Sequence, residues 1–286
     1  MTEQAYTLTR GADQTAPILF ASPHSGSVYP EILRQNLRVP LIDLQRTEDA
    51  FVDELIENVP DQGAALLTAH YARAYVDLNR DPGEIDTGMI EGRVKRPLMR
   101  HSARVEAGLG CLPKIGASGE VFYADRISAA DAEHRLTHVH DSYHAALHCE
   151  LIDLRQTWGQ AFLIDCHSMP SCQPGRRELP DIILGDRFGK SCTAHLTRTA
   201  ERAFKALGYT VARNAPYAGG YTTVRYGRPI THIHALQIEL NRNLYMDEGR
   251  VEKSDGFARL QSDMTCIGEE LTELARALAG PALAAE

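Results

Sequence analysis

Short apolar runs alternate with longer segments of helical periodicity along most of the chain. The apolar runs have the length of buried strands and are bounded by turn-forming residues. They predict strands at 17–21, 63–68, 72–78, 161–165, 182–184, 209–212 and 235–240. Apolar positions at helical spacing predict helices at 41–59, 127–158, 190–207 and 252–279. Strands separated by helices indicate an α/β fold in which a mainly parallel or mixed central sheet is covered by helices.

One long segment, 81–119, departs from this alternation. It is rich in glycine, proline and arginine and has weak periodicity. An irregular segment of this length is more often a functional loop than a linker. The chain shows no internal repeat, and its low-complexity sequence is confined to the alanine-rich tail at 275–285. We therefore expect residues 1–286 to form one α/β domain with a functional loop region at about 81–119.

Composition and charge narrow the class of protein. The 286 residues are 43% hydrophobic and 24% charged, with a formal net charge of −8. An acidic chain is a poor nucleic-acid binder, because duplex binding needs a basic face, but local arginines still allow a small anionic ligand. The first ten residues lack a basic start with an apolar core, and no apolar run is long enough to span a membrane. We expect a cytoplasmic protein without a membrane partner, whose six cysteines, which form no CxxC pair, are reduced thiols.

Three short motifs at the ends of predicted strands carry the candidate chemistry. They are Pro-His-Ser-Gly at 23–26, Asp-Cys-His-Ser-Met-Pro at 165–170 and Gln-Ile-Glu-Leu-Asn-Arg at 237–242. Strand ends in an α/β sheet meet at one edge, where such folds build their sites. His24 and His167 would then supply two imidazoles to one site. Together with a carboxylate, they predict a catalytic zinc ion with one open position for water.

The third ligand is expected from an acidic pair in the first long predicted helix. Glu48 and Asp49 can fold back towards the end of the first predicted strand. Asp49 is the first choice and Glu48 the alternative.

Glu239 is the candidate general base. Metal-assisted amide hydrolysis needs a carboxylate that removes a proton from water and later delivers it to the leaving nitrogen. A glutamate within an otherwise apolar strand is also costly to bury without a partner. The alternative is a salt bridge from Glu239 to Arg242 or another arginine.

Two arginine-containing motifs are candidates for binding the substrate. Asn79 and Arg80 follow the strand predicted at 72–78, and an amide beside a guanidinium can grip a carboxylate through charge-assisted hydrogen bonds. Arg104 precedes a glycine-rich turn and is a second candidate, although an exposed arginine is often only solvated. The segment 214–221, with two adjacent glycines, is either a loop that closes over the site or a structural turn.

A histidine-rich stretch lies within the helix predicted at 127–158. Several of its histidines are four residues apart, a spacing that can bind a metal on one helix face. They are His134, His138, His140, His144 and His148. The interleaved acidic residues complete no compact triad, so we expect a solvated face, with His144 alone able to reach the active site from a helix end.

Taken together, these motifs resemble the N-formylglutamate amidohydrolases, which are related to the zinc carboxypeptidases and acylamino-acid deacylases. The matching motifs run in order from about Pro23 to Glu248: SPHSG, TEDAFVDEL, YVDLNR, RVEAGLG, DCHSMP, ILGDR, NAPYAGGY and HALQIELNRNLYMDE. The resemblance implies a zinc-carboxypeptidase-like (phosphorylase/hydrolase-like) α/β fold, one zinc ion per chain and hydrolysis of N-formyl-L-glutamate to formate and L-glutamate, a step of histidine degradation. In the wider group an Asn-Arg pair holds the substrate carboxylate and a strand-borne glutamate is the base, which matches Asn79, Arg80 and Glu239. The His-x-x-Glu ligand pair of the carboxypeptidases is missing here, because Ser27 stands three residues after His24.

The expected function is therefore metal-dependent hydrolysis of an N-acyl acidic amino acid, most specifically N-formyl-L-glutamate. Two alternatives remain open. One is a deacylase or carboxypeptidase that acts on another N-acyl amino acid, since the sequence does not report the volume of the acyl pocket. The other is a metal-free protein that binds an amino-acid derivative and needs neither the histidines nor Glu239. Nitrogen and oxygen ligands also accept divalent ions other than zinc.

Overall fold

The structure, a computed structural model, describes residues 4–11, 14–99, 102–172 and 179–280. The strands are β1 (Tyr6–Arg10), β2 (Ile18–Ser22), β3 (Ala65–Ala69), β4 (Ile90–Glu91), β5 (Ile127–Ser128), β6 (Ala161–Met169), β7 (Ile182–Gly185), β8 (Val211–Arg213), β9 (Ile233–Asn241), β10 (Met246–Asp247) and β11 (Glu252–Lys253). The α-helices are α1 (Glu31–Gln35), α2 (Leu41–Gln45), α3 (Val52–Leu55), α4 (Ala103–Glu106), α5 (Ala129–His134), α6 (Ser142–Trp158), α7 (Ala194–Ala206), α8 (Tyr221–Tyr226) and α9 (Phe257–Leu278). A π-helical segment, Arg135–Asp141, joins α5 to α6. None of the helices in the described ranges is long and apolar enough to cross a membrane.

Within the described residues, seven strands form the central sheet in the order β1-β3-β2-β6-β9-β7-β8. Strands β3, β2, β6 and β9 are parallel neighbours. Strand β1 pairs antiparallel with β3, and β7 pairs antiparallel with β9 and parallel with β8. The predicted mainly parallel or mixed sheet is confirmed.

Helices cover both faces of the sheet, and each face has its own apolar core. Along β2, Leu19 packs into one core and Phe20 into the other, as expected for side chains that alternate across a strand. Helices α5 and α6 cover the first core, and α7 and α9 cover the second. Burial on both faces explains why the central strands are apolar throughout rather than alternating in polarity.

Most predicted elements are present. The strands predicted at 17–21, 63–68, 161–165, 182–184, 209–212 and 235–240 correspond to β2, β3, β6, β7, β8 and β9. The helix predicted at 127–158 corresponds to α5, the π-helical segment and α6, and those at 190–207 and 252–279 correspond to α7 and α9. In the described part of 81–119 the regular structure is limited to short elements, β4, α4 and the 3₁₀ turn Thr87–Met89.

Two predictions of secondary structure are wrong. The segment 72–78 is not a strand but an irregular segment after β3, and its Asp77 amide donates to the distant Cys111 carbonyl at 2.8 Å. The helix predicted at 41–59 is broken into α2 and α3, because the chain between them turns back towards β2 and the Asp49 amide donates to the His24 carbonyl at 3.0 Å. Tertiary hydrogen bonds therefore override the local periodicity at both positions.

Candidate metal centre and substrate pocket

Three predicted ligands meet at one edge of the sheet. His24 follows β2 and His167 lies near the end of β6, its parallel neighbour, while Asp49 comes from the connection between α2 and α3. Oδ2 of Asp49 lies 3.2 Å from Nδ1 of His24 and 2.9 Å from Nδ1 of His167. All three side chains are buried, and their candidate ligand atoms lie within 4.8 Å of one another. Two imidazole nitrogens and a carboxylate oxygen are a donor set that fits a divalent metal ion.

The outer nitrogen of each imidazole faces a buried carboxylate. Nε2 of His24 lies 2.7 Å from Oδ1 of Asp77, and Nε2 of His167 lies 3.1 Å from Oδ2 of Asp165. A carboxylate at Nε2 favours a proton on that nitrogen, which leaves the lone pair of Nδ1 directed into the site. Asp77 thus orients the His24 ring for ligation through Nδ1. The Asp165 carboxylate lies close to Nε2 of His167 without a hydrogen bond to it.

The alternative ligand Glu48 does not enter this cluster. Its buried carboxylate accepts a hydrogen bond from the Tyr29 hydroxyl, and burial raises its pKa to about 7. Asp49, not Glu48, is the acidic residue that the structure brings to the two histidines.

The electrostatics of Asp49 suit a cation. Burial opposes ionisation of Asp49, but hydrogen bonds with His167 and His24 hold its pKa well below the usual range. Burial alone would lower the pKa of His167, but Asp165, Asp49 and Glu239 raise it well above the usual value. The carboxylates around His167 therefore favour a positive charge at this position, which a bound metal ion can supply.

Glu239 stands beside His167 across two neighbouring strands. The two residues are register partners of β6 and β9, so their side chains lie on the same face of the sheet. Burial raises the pKa of Glu239 to about 7, and the Gln237 amide donates to its Oε1 at 2.6 Å. Arg242 is not its partner, since this guanidinium contacts Oδ1 of Asp49 at 3.1 Å and Oγ of Ser168 at 3.1 Å. The alternative of a Glu239–Arg242 salt bridge is therefore wrong.

A pocket of about 570 Å³ opens onto this centre. All of the predicted site residues line it: His24, Asp49, Asn79, Arg80, Arg104, His167 and Glu239. The segment 216–220 forms part of its wall, and the Gly220 amide donates to Oε1 of Gln237 at 2.8 Å.

The substrate-binding candidates form a cationic side of the pocket. Arg80 donates to the carbonyls of Leu109 and Asn79, at 3.1 and 2.9 Å, and pairs with no carboxylate of the described residues. Burial lowers its pKa, as do the neighbouring Arg73 and Arg104. Arg104 is exposed, with Nη1 3.8 Å from Oε2 of Glu84. An anion that enters the pocket therefore meets Arg80, which has no carboxylate partner among the described residues, and Arg104, whose carboxylate partner Glu84 lies at 3.8 Å.

Asn79 is buried and already held by the protein. Its side-chain oxygen accepts a hydrogen bond from the Thr222 amide at 2.9 Å, and its side-chain nitrogen lies 3.1 Å from Nε2 of His167. Asn79 thus joins the pocket wall at α8 to the metal centre.

Arg73 lines the pocket and was missed by the sequence prediction. Its Nη2 donates to Oδ2 of Asp77 at 2.8 Å, and its Nη1 lies 3.6 Å from Oδ1 of Asp49. Because 72–78 was predicted to be a strand, Arg73 was not predicted to line the pocket. An arginine and an aspartate four residues apart in an apolar run were the signal that could have found it.

The histidine-rich stretch forms no metal site with itself. Among the described residues, the only metal-binding group found is that of His24, Asp49 and His167. His144 does not line the pocket: its Nε2 lies 2.8 Å from the Leu78 carbonyl and its Nδ1 lies 2.9 Å from the Tyr226 hydroxyl. His144 therefore does not reach the pocket from its helix. The expected solvated face is wrong at His140 and His144, which are buried, although His138 and His148 are exposed.

Comparisons with known proteins agree with this architecture. A model of the N-formylglutamate amidohydrolase family matches residues 16–246. The chain belongs to this family. The predicted resemblance is confirmed, and with it the prediction that the chain is a hydrolase.

Relatives in the N-formylglutamate amidohydrolase family match most of the chain. It is 31% identical over 237 residues to the N-formylglutamate deformylase of Pseudomonas putida, covering 81% of this chain and 82% of the relative. The N-formylglutamate deformylase of Pseudomonas aeruginosa is 33% identical over 240 residues, covering 81% and 83%. The crystal structure of an N-formylglutamate amidohydrolase from Ralstonia eutropha JMP134 superposes with a TM-score of 0.90 at 34% identity, over 96% of this chain and 99% of that one.

Proposed function

We propose that this chain hydrolyses N-formyl-L-glutamate to formate and L-glutamate, a reaction of histidine degradation, with one zinc ion per chain. The observation that carries the proposal is one pocket in which His24, Asp49 and His167 converge beside Glu239, and which Arg80 and Arg104 also line. Relatives that share about a third of their residues with the chain are named N-formylglutamate deformylases.

The donor set supports zinc as the ion. His24 and His167 would supply Nδ1 and Asp49 a carboxylate oxygen, which leaves room for water and substrate. When bound, such an ion polarises a carbonyl oxygen and lowers the pKa of water. Other divalent ions accept the same ligands. Zinc is proposed because two imidazoles and a carboxylate with an open position are typical of its catalytic sites.

Glu239 is the proposed proton carrier. Its carboxylate, on the same face of the sheet as His167, takes a proton from the attacking water. It then delivers that proton to the departing nitrogen of glutamate as the amide bond breaks. A pKa of about 7 suits both steps, because the group must accept and release a proton near neutral pH.

The cationic side of the pocket supports an acidic amino acid as the substrate. Arg80 and Asn79 are proposed to anchor one carboxylate and Arg104 the second. Anchoring fixes the amide carbonyl next to Glu239 and the metal ligands, which lowers the entropic part of the barrier.

The test is metal analysis and kinetics on one preparation. We expect about one equivalent of zinc per chain and the highest kcat/KM for N-formyl-L-glutamate among the formyl, acetyl and succinyl derivatives of glutamate. A preference for the acetyl or succinyl derivative would make the chain a deacylase of another acyl group. A metal-free preparation that binds these compounds without hydrolysing any of them would refute the enzymatic proposal.

A further inference from the structure

The irregular segment 72–80 supplies five pocket residues: Arg73, Ala74, Asp77, Asn79 and Arg80. Since 72–80 pairs with no strand, the carbonyl groups of this segment need partners outside a sheet ladder. The directions of the Asn79 and Arg80 side chains therefore depend on the groups that donate hydrogen bonds to these carbonyls.

Three of the partners come from one helical element. Nη1 of Arg135 donates to the Tyr75 carbonyl at 3.2 Å. Nε2 of His144 lies 2.8 Å from the Leu78 carbonyl, and Nε2 of His140 lies 3.0 Å from the Arg80 carbonyl. A carbonyl oxygen only accepts hydrogen bonds, so both histidines carry a proton on Nε2 and donate it. The two histidines bracket Asn79 from either side.

The π-helical segment Arg135–Asp141 explains how one helix reaches all three carbonyls. Residues five apart share a face in a π turn, and residues four apart share a face in an α turn. Arg135, His140 and His144 have these two spacings in succession, and the His140 ring packs against the His144 ring at an angle of 42°, with 4.4 Å between ring centroids. A continuous α-helix would rotate His140 away from the face that carries Arg135.

His144 is also held from its other side. The Tyr226 hydroxyl lies 2.9 Å from its Nδ1, which accepts because the ring proton is on Nε2. Burial keeps the pKa of His144 well below the usual value, so the ring is neutral. The buried His144 ring carries one proton and has a hydrogen-bond partner at each nitrogen. The direction of its Nε2–H donor is therefore fixed.

We propose that His140 and His144 are positioning residues that hold the backbone of Leu78 and Arg80, and thereby direct Asn79 and Arg80 into the pocket. This inference rests on the proposed function for its kinetic readout. In this proposal the histidine-rich helix contributes to substrate binding, although His140 and His144 neither bind the metal nor line the pocket.

The test compares variants of one residue type on the same helix. His144→Phe keeps a ring but removes the donor, and His144→Gln retains an N–H donor. His138→Phe is the matched control, because His138 is exposed and its ring packs, tilted, against His134 rather than against the pocket segment. For the zinc-loaded proteins, we expect His144→Phe to raise KM for N-formyl-L-glutamate about tenfold with a smaller fall in kcat. His144→Gln should recover part of the loss, and zinc content should stay at the wild-type level.

A second readout does not need the substrate. Hydrogen exchange over peptides that span 74–82 should be faster in His144→Phe and His140→Phe than in wild type and the His138→Phe control. If His144→Phe does not fold, His140→Phe serves for both measurements. Unchanged KM and unchanged exchange in the two histidine variants would overturn the inference.

The two proposals fail in different ways. A wild-type protein that does not hydrolyse N-formyl-L-glutamate would remove the proposed function, and hydrogen exchange alone would then decide the role of the histidines. An active wild type whose His140 and His144 variants match the His138 control in KM and in exchange would remove only the positioning role.

Discussion

Two buried carboxylates that neighbour His167, those of Asp49 and Glu239, have pKa values displaced in opposite directions. Asp49 faces two imidazoles and the guanidinium of Arg242, and its pKa lies well below the usual range. Burial raises the pKa of Glu239 to about 7, although the Gln237 amide donates a hydrogen bond that acts in the opposite direction. Groups whose environments displace their pKa values in opposite directions are suited to different tasks. The opposite displacements support the proposed roles, Asp49 as an ionised metal ligand and Glu239 as the proton carrier.

Replacement of Glu239 by glutamine tests this division of tasks. Glu239→Gln keeps the size of the side chain and removes its basicity, so kcat should fall by about 10²- to 10⁴-fold. Zinc content and thermal stability should stay close to wild type, because His24, Asp49 and His167 are unchanged. Turnover near the wild-type value in a folded, zinc-loaded variant would contradict the role of Glu239.

The raised pKa of Glu239 also sets a pH dependence. A base must be deprotonated, so kcat/KM should fall as the pH falls through the pKa of Glu239. Because the pKa of Glu239 is raised to about 7, the fall in kcat/KM, the acidic limb of the pH profile, should occur at a higher pH than for an ordinary glutamate. A bound cation lowers this pKa again. We expect a limb between about pH 4.3 and about pH 7 in wild type. The residual activity of Glu239→Gln should lack it, and a limb that persists there would belong to another group.

Arg80 offers a separate test of substrate binding. Arg80→Lys keeps the charge but loses the planar fork that grips a carboxylate through two hydrogen bonds, so kcat/KM should fall about tenfold or more. Arg104→Lys is the comparison variant, since Arg104 lines the same pocket from an exposed position. A larger effect at Arg104 than at Arg80 would transfer the main anchor to Arg104.

At the scale of elements, the pocket depends on close packing between the loop before α8 and the segment that carries Asn79. The Gly220 amide donates to Gln237, and the Thr222 amide donates to Asn79. A Cβ atom at Gly220 would overlap the side-chain amide of Asn79. A glycine is needed here for close approach rather than for a left-handed backbone.

Gly220→Ala should therefore displace Asn79 or the loop. We expect KM for N-formyl-L-glutamate to rise about tenfold while zinc content is retained, because the metal ligands lie on other elements. Gly280→Ala is the control, since a Cβ atom there meets no heavy atom within 4 Å. Wild-type kinetics for Gly220→Ala would show that the wall can relax without moving Asn79.

At the scale of the whole molecule, the metal centre joins parts of the chain that are distant in sequence. The ligands come from the end of β2, the connection between α2 and α3, and β6. An ion bound by all three stabilises the folded state, because the unfolded chain does not hold them together. The single domain over 1–286 remains a prediction. A single domain unfolds in one cooperative transition, so a bound ion should shift that whole transition.

Removal of the metal tests both statements. Free zinc at 100 times its Kd contributes about 2.7 kcal/mol to folding, so chelation should lower Tm by about 5 °C or more, and added zinc should restore it. His167→Ala should show no zinc-dependent change in Tm. Calorimetry should record one transition in each state. Two transitions, of which only one responds to zinc, would indicate two domains.

The sequence alone determined the fold class and the chemical identity of the site. Apolar runs of strand length between periodic helices specify a helix-covered, largely parallel sheet, because strands that are buried on both faces are apolar throughout. Histidine and glutamate at the ends of such runs mark the functional edge of the sheet. His24, His167 and Glu239 were found in this way, and the structure brings them together.

Only the tertiary structure decided how distant segments meet. Contacts between residues far apart in sequence decided four features: the choice of Asp49 over Glu48, the irregular path of 72–80, the antiparallel directions of β1 and β7, and the position of Arg73. The same holds for His140 and His144, whose carbonyl partners lie more than 50 residues earlier in the chain. Local pattern reports whether a side chain is buried and with what period, but the partner of a buried polar group is set by the packing of the whole chain.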